Sequence, residues 1–349
     1  MKIQKTELAT KLNKIRGVVP KKTTMPVLQG ILAKEGYLIA NNMEMAVKAK
    51  LGGMGDECFI IPERVFDLIS NLPDGEVEIS VTAKNTITIK ADKIKNKYQT
   101  MDPEQFPDTA TQKAENQLTI KADMLLESIK RVSYAVPVHG NNPVMASMCL
   151  QAADGQLNFV GLDGHVLAWD KVGYEGDFEL LIPKNTVDRL KSLGLAGDVQ
   201  ITHNKTGAVF ITEDFEVHTR LVEGEYFKYR AMFKELPVHT VVSRGELLDA
   251  MTRAKMCTEE RCPVRFEMQE GQLNLSIKDK ITDYHETVDL QEKLPQPLTI
   301  GFDARLVLET LKAFDCDNVG ISLESPRMPM IVEAEDSDFK AIVLPVAIN

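Results

Sequence analysis

Three stretches of this 349-residue chain repeat one order of elements at a nearly constant spacing, and no other feature restricts its fold as tightly. Leu8, Leu12 and Ile15 reappear as Leu125, Ile129 and Val132, 117 residues on, and as Leu247, Met251 and Ala254, a further 122 on. Each set has the i, i+4, i+7 spacing of a helix with one apolar face. A strand–helix–strand pattern follows in each stretch: CFIIPERVFDLISNLPDGEVEISV, FELLIPKNTVDRLKSLGLAGDVQITH and PLTIGFDARLVLETLKAFDCDNVGISL. Within it Phe66, Val187 and Leu308 stand 121 apart, as do Ile69, Leu190 and Leu311. Between the helices a hairpin signal starts at Gly36, Gly155 and Gly271. Strands alternate apolar and polar residues (Val77, Ile79, Val81; Ile87, Ile89; Val209, Ile211), as in antiparallel sheet with one solvated face. The expected class is α+β: three tandem domains over 1–118, 119–239 and 240–349, each with two helices packed on roughly eight strands.

Charge is unevenly spread over this repeat. The net charge is −10, yet the six helical segments with their flanks carry 19 Lys+Arg against 10 Asp+Glu, leaving about −19 elsewhere. Lys2, Lys5, Lys11, Lys14, Arg16, Lys21 and Lys22 form the densest cluster, and Lys191 and Arg253 lie on later helices. One reading is the ordinary preference of helix surfaces for Lys and Arg. The other is a basic helical surface turned toward a polyanion; few aromatics lie there, so contact would be to phosphate, without base stacking or sequence readout.

Other classes lose ground quickly. No apolar run is long enough to span a bilayer, and MKIQKTELATKLNKIRG is charged where a signal peptide is apolar, so a cytoplasmic protein without a membrane partner is expected. Five cysteines without a CxxC, and scattered His203, His218, His239 and His285, suggest neither a disulfide framework nor a metal site. Asp163-Gly164-His165 offers an acid and a base, but no GxSxG, HExxH or GxxxxGK[ST] motif accompanies it. Gly52-Gly53-Met54-Gly55 reads as a hairpin loop, since no helix pattern follows it. A non-catalytic protein without cofactor or metal is the expectation.

The phrases KKTTMPVLQG (21–30), VGLDGHVLAW (160–169), LVEGEYFKYR (221–230), FDARLVLETLKAF (302–314) and IVLPVAI (342–348) together resemble, in order, the bacterial β sliding clamps, the DNA polymerase III beta subunit family. The resemblance covers the whole chain. It implies a head-to-tail homodimeric ring around duplex DNA, helices lining the hole, that gives a polymerase its processivity and is opened by an ATP-dependent clamp loader. Simple geometry agrees: twelve helices spaced about 10 Å apart leave a hole of roughly 28 Å, wider than a duplex of roughly 20 Å.

Carried over position by position, the family's partner-peptide cleft comprises Met145, Leu162, Gly164, His165, Val166, Leu167 and Phe233, with Ile342, Leu344, Pro345, Val346 and Ile348 near the C-terminus. Strand core is the plain alternative for Leu167 and Ile342. Family members usually have arginine at Val166 and Ala347 and proline at Phe233, so this cleft is expected to be less basic, with an altered rim. Lys22 matches a position that reaches DNA in the family, and His139 and Asn141 keep a polar loop there. The implied DNA-facing set is Lys11, Lys14, Arg16, Lys21, Lys22, His139, Asn141, Lys191 and Arg253. The implied dimer seam joins Tyr98 and Thr100 to Met256 and Cys257. A second possibility is a clamp-like phage or mobile-element paralogue that competes with or replaces a host clamp.

Overall fold

The computed structural model describes residues 1–55, 57–108, 113–138, 140, 142–257, 263–278 and 282–348. His139, Asn141, Cys262 and the start of the linker TATQKAENQ lie outside them.

The described residues hold eight strands and two α-helices per repeat. The first repeat contains β1 (Lys2–Gln4), α1 (Lys5–Ile15), β2 (Gly30–Lys34), β3 (Tyr37–Asn41), β4 (Met45–Lys50), β5 (Phe59–Pro62), α2 (Phe66–Ser70), β6 (Glu76–Val81), β7 (Thr86–Ala91) and β8 (Ile94–Gln99). The second contains β9 (Asn116–Lys121), α3 (Ala122–Val132), β10 (Ser147–Ala153), β11 (Gln156–Leu162), β12 (Val166–Gly173), β13 (Phe178–Pro183), α4 (Lys184–Leu193), β14 (Asp198–His203), β15 (Gly207–Ile211) and β16 (Phe215–Arg220). The third contains β17 (Val238–Ser243), α5 (Arg244–Met256), β18 (Val264–Gln269), β19 (Gln272–Lys278), β20 (Asp283–Asp289), β21 (Leu298–Phe302), α6 (Ala304–Ala313), β22 (Asn318–Leu323), β23 (Met330–Glu333) and β24 (Lys340–Val343).

The apolar periodicity of the helices is used as the spacing predicts. Leu8, Leu12 and Ile15 are fully buried, as are Leu125, Ile129 and Val132, and Leu247, Met251 and Ala254 are buried too. Each large buried aliphatic side chain contributes about 1.5–3 kcal/mol. Caps fix two helix starts: the Ser243 hydroxyl accepts from Glu246 N, and Asp303 Oδ1 accepts from Arg305 N. The hairpin glycines are equally specific. Glu35-Gly36, Asp154-Gly155 and Glu270-Gly271 all take positive φ at both residues (51° and 80°, 55° and 73°, 54° and 84°), the type I′ turn that matches strand twist. One expectation differs: in β15 Ala208 and Phe210 are buried while Val209 and Ile211 are only half-buried. Phe210 stands between Ile201 and Val217, both fully buried, and this row sets the inward face.

The chain forms two compact units, Met1–Leu126 with Asp188–Leu221, and Glu127–Val187 with Val222–Asn349. The first holds an eight-stranded antiparallel sheet, β5-β2-β3-β4-β16-β15-β14-β9, and a four-stranded one, β1-β6-β7-β8. The second holds β13-β10-β11-β12-β24-β23-β22-β17 and β20-β19-β18-β21. One rule generates all four. In each repeat the second to fifth strands make one half-sheet, the first, sixth, seventh and eighth make another, and the fourth strand pairs with the eighth strand of the next repeat. Those joints are β4–β16 and β12–β24.

Candidate functional site

In the second unit, β12 alternates faces. Val166 and Ala168 share the face of Asp170, which is bonded to Arg131 of α3, whereas Leu167 and Trp169 face the other way. On that second face Leu162, Leu167 and Ile342 lie in one buried cluster with Cys149, Val160, Leu181, Tyr226, Tyr229 and Ile331. Met145 and Phe233 pack against it half-buried. Five of the expected cleft residues are thus brought together across the β12–β24 joint, while Val166 is buried on the opposite face.

The remaining cleft positions form its rim. Asp163 Oδ1 accepts from His165 N and Val166 N, and Gly164, with φ of 85°, lets the chain reverse, so Gly164 and His165 stand exposed at the turn. Leu344 N donates to His165 O (2.8 Å), leaving the Leu344 side chain 36% exposed. Beyond Pro345, Val346 N donates to Gly301 O (2.9 Å), and Ile348 lies over Gly301, where a Cβ would stand 2.4 Å from its Cγ2. The C-terminal segment is therefore strapped to both sheets of the unit.

Of the site's aromatic residues the sequence reading named only Phe233; Trp169, Tyr226 and Tyr229 escaped it. Trp169 packs on Tyr229 and on Phe233, each at 5.3 Å between ring centroids. Trp169 Nε1 donates to Asn158 Oδ1 (3.0 Å), and the Tyr229 hydroxyl donates to Gln151 Oε1 (2.9 Å). Burial raises the Tyr226 and Tyr229 hydroxyls and the Cys149 thiol above their ordinary pKa ranges, so all three stay protonated. A signal existed: Tyr226, Phe227, Tyr229 and Phe233 crowd into one short stretch of a chain with 6% aromatics.

The corresponding joint of the first unit is polar. Glu216 stands opposite Lys48 and bonds it at 3.2 Å, with His218 Nε2 3.1 Å from the same carboxylate. Burial lowers the pKa of His218 despite Glu216, and the neighbouring Lys48 adds to the lowering.

The expected DNA-facing cations fall into three groups. Lys11 pairs with Asp214 (2.5 Å), Arg16 with Asp67 (2.8 Å), Lys191 with Asp188 (3.2 Å) and Arg253 with Glu286 (2.5 Å). Hydrogen bonding to Arg253 holds the Glu286 carboxyl below its usual range. Lys14 is spent differently: its Nζ donates to Ser192 O (3.3 Å) at the end of α4, while Arg189 Nη1 donates to Lys14 O (3.2 Å) at the end of α1. Lys21 and Lys22 are exposed, and neither has an ion-pair partner among the described residues.

Of the expected seam residues, Met256 is 80% exposed, Cys257 and Tyr98 are half-buried, and Thr100 is buried with its hydroxyl donating to Ile60 O (2.7 Å). Among the described residues β8 pairs only with β7 and β20 only with β19, so each is a sheet edge.

Half-sheets repeated three times and joined fourth strand to eighth, with β20 and β8 left without that joint among the described residues, define an α+β clamp fold of the ring-forming kind. The profile for the DNA polymerase III beta subunit N-terminal domain matches twice, over 1–110 and 116–227, and that for its C-terminal domain matches 230–347. The chain belongs to this family, the bacterial beta sliding clamps. It is 22% identical to the beta sliding clamp of Streptococcus pneumoniae, covering 99% of both chains, and 23% identical to that of Vibrio cholerae, covering 99% of this chain and 98% of that one. A putative DNA polymerase III beta subunit from Eubacterium rectale superposes with a TM-score of 0.92 at 24% identity, covering 99% of each chain. A Pseudomonas aeruginosa sliding clamp bound to griselimycin gives 0.92 at 22%, covering 100% of this chain and 99% of that one. These full-length matches favour a clamp over a clamp competitor.

Proposed function

We propose that this chain is a sliding clamp that closes, as a head-to-tail homodimer, around duplex DNA and tethers a DNA polymerase for processive synthesis. One observation carries the reading: the strand rule is satisfied twice within the chain and left open once. The fourth strand of the third repeat, β20, lacks the eighth strand it calls for, and β8 of the first repeat lacks its fourth. A second copy supplies both, and two chains then present three domains each, the expected 1–118, 119–239 and 240–349 with their boundaries moved ahead of β9 (Asn116–Lys121) and β17 (Val238–Ser243). Unpaired edges are pairing liabilities that a matched partner resolves.

Side chains at the two edges suit one another. Transferring the β12–β24 register sets Lys97 of one chain opposite Asp283 of the other and Lys95 opposite His285; the β4–β16 register sets Lys97 opposite His285. Both place exposed Lys95 and Lys97 on the face of Asp283 and Asp289. Helix ends agree. Gly17, two residues past Ile15, meets Arg189, and Tyr134, two past Val132, bonds Thr310 (3.0 Å). The same positions in the open joint are Met256 and Leu68, which would meet as an apolar pair across the seam.

The clamp does no chemistry of its own. It raises the polymerase's effective concentration at the template, and topology supplies persistence. Internal pairing of Lys11, Arg16, Lys191 and Arg253 supports weak direct contact with phosphate, which favours sliding. Partners, polymerase included, would dock at the β12–β24 cleft, and a separate ATP-dependent loader would open a seam. No helix among the described residues is long and apolar enough to cross a membrane, and we place the clamp in the cytoplasm with the replicating DNA. The test is loading on circular duplex DNA: the complex should withstand salt and be lost when the circle is cut. Equal loss from circle and linear DNA would refute topological binding.

A further inference from the structure

Where the second unit builds its cleft, the first unit builds a pocket of different chemistry. Asn41 Oδ1 accepts from Met43 N (2.7 Å), and Asn42 Oδ1 accepts from Glu44 N (3.1 Å) and Met45 N (2.8 Å), so the β3–β4 turn is held much as Asp163 holds the turn before β12. Arg220 N donates to Glu44 O (3.0 Å), which adds one pair to the β4–β16 ladder, as Leu344 N does by donating to His165 O. Met43, Glu44 and Arg220 therefore stand where the second unit has Gly164, His165 and Leu344. They line a cavity of about 140 Å³. An apolar cavity of about 150 Å³ takes up benzene, so there is room here for one compact side chain.

Folding alone explains neither the charge nor the strain of this pocket. Glu44 and Arg220 are neighbours across the joint and both are exposed, yet neither side chain has an ion-pair or hydrogen-bond partner among the described residues. Opposite charges across a ladder stabilise it when they pair, and these two are left apart at a cavity. Exposed Asp108 adds a second carboxylate to the lining, while burial lowers the pKa of His203 and His218, so both stay neutral near pH 7. The strain lies in Met43, whose φ is 74°. Every other described non-glycine residue with positive φ is Asp, Asn or Glu. A long apolar side chain is costly to hold there, and at 44% exposure Met43 recovers little of that cost by burial. It lines the pocket with Ala46, Ala208 and Val209.

We propose that this pocket binds a free α-amino acid with a compact apolar side chain: Arg220 takes the carboxylate, Glu44 takes the ammonium, and Met43 closes on the side chain with Ala46, Ala208 and Val209. A molecule with both charges on one carbon satisfies Glu44 and Arg220 from a single position. An internal peptide segment offers neither charge on its backbone, and a chain terminus offers one. The site depends neither on ring closure nor on the cleft of the second unit. A charge-assisted hydrogen bond at such a site is worth about tenfold in affinity.

The full-length protein is titrated with L-leucine, leucinamide and N-acetyl-leucine, each followed by saturation-transfer NMR of the ligand methyl groups. Leucine should bind about tenfold more tightly than leucinamide, which lacks the carboxylate, and than N-acetyl-leucine, which lacks the ammonium. In Arg220→Gln, leucine and leucinamide should bind alike; in Glu44→Gln, leucine and N-acetyl-leucine should. Both substitutions fall on exposed side chains, so the fold is retained. Met43→Gly relieves the positive φ, so it should melt no lower than the parent protein while binding leucine several-fold more weakly. Failure of leucine to bind, equal binding of leucine and either blocked form to the parent protein, or leucine affinity unchanged in both Arg220→Gln and Glu44→Gln overturns the proposal.

Discussion

Arg189 occupies the space that a side chain on Gly17 would need: its Nη2 lies 2.3 Å from where a Cβ would stand. In the second unit the same pair of positions holds Tyr134 and Thr310, with the bulk on the other partner. The two joints solve one packing problem with opposite assignments of size. Gly17→Tyr should therefore destabilise the first unit by about 1–3 kcal/mol through overpacking, and adding Arg189→Thr should recover most of it. A double-mutant cycle by urea unfolding measures this, and strictly additive effects would contradict the exchange.

At the proposed seam the relevant pair is Met256 and Leu68. Met256→Asp would bury a charge against Leu68 of the second chain and should convert the dimer to a species of 38.9 kDa in sedimentation. Lys97→Glu should weaken the dimer less, and Asp283→Lys on the same chain should restore it. No recovery in the double variant would move Lys97 away from Asp283.

Salt and DNA give a third expectation. Lys21→Ala and Lys22→Ala should each reduce the salt slope of binding to linear duplex by about 0.9, because both cations are exposed and have no acidic partner among the described residues. Arg16→Ala should change it less, since removing Arg16 also frees Asp67. Retention on circular DNA should be unaffected by any of the three, as scored by gel filtration after loading.

Acid should loosen the first unit. Burial depresses the His218 pKa below its ordinary 6.5, with Glu216 opposing and Lys48 assisting. The unfolded chain thus takes up its proton first, and stability falls as pH drops from about 6.5 through the folded value. His203, also depressed by burial, adds in the same direction. Thermal melts should fall between pH 7.5 and 5.5, and His218→Gln should flatten part of the slope.

Removing Leu344–Asn349 should abolish binding of polymerase-derived peptide and leave the dimer intact. The cut falls after β24, so the β12–β24 ladder persists while the strap to Gly301 is lost. Unchanged peptide affinity would place the partner site elsewhere.

Much of the fold was legible because the repeat is written in side chains that do local work. Leu8, Leu125 and Leu247 mark the helix faces, and the glycines at 36, 155 and 271 must adopt positive φ. The joints were not legible. Whether β4 pairs with β16 is a long-range choice, and Lys48 and Glu216 look like any surface charges until the register sets them opposite one another. At the cleft, the carried-over residues located the β12–β24 joint, but alternation along β12 turned Val166 away, and Trp169 entered because it shares a face with Leu167. The basic helices were visible as composition; their neutralisation was not, since Asp214 and Glu286 lie far along the chain from Lys11 and Arg253.

The two joints inside the chain are backed by covalent linkage, whereas a pairing of β20 with β8 is held by contact alone. A ring of two chains has two such contacts, and breaking one leaves the other as a hinge. Reclosure is then a first-order event, independent of how dilute the protein is. The proposed assembly would behave as a latch, admitting DNA through one gap and closing without having to find its other half again.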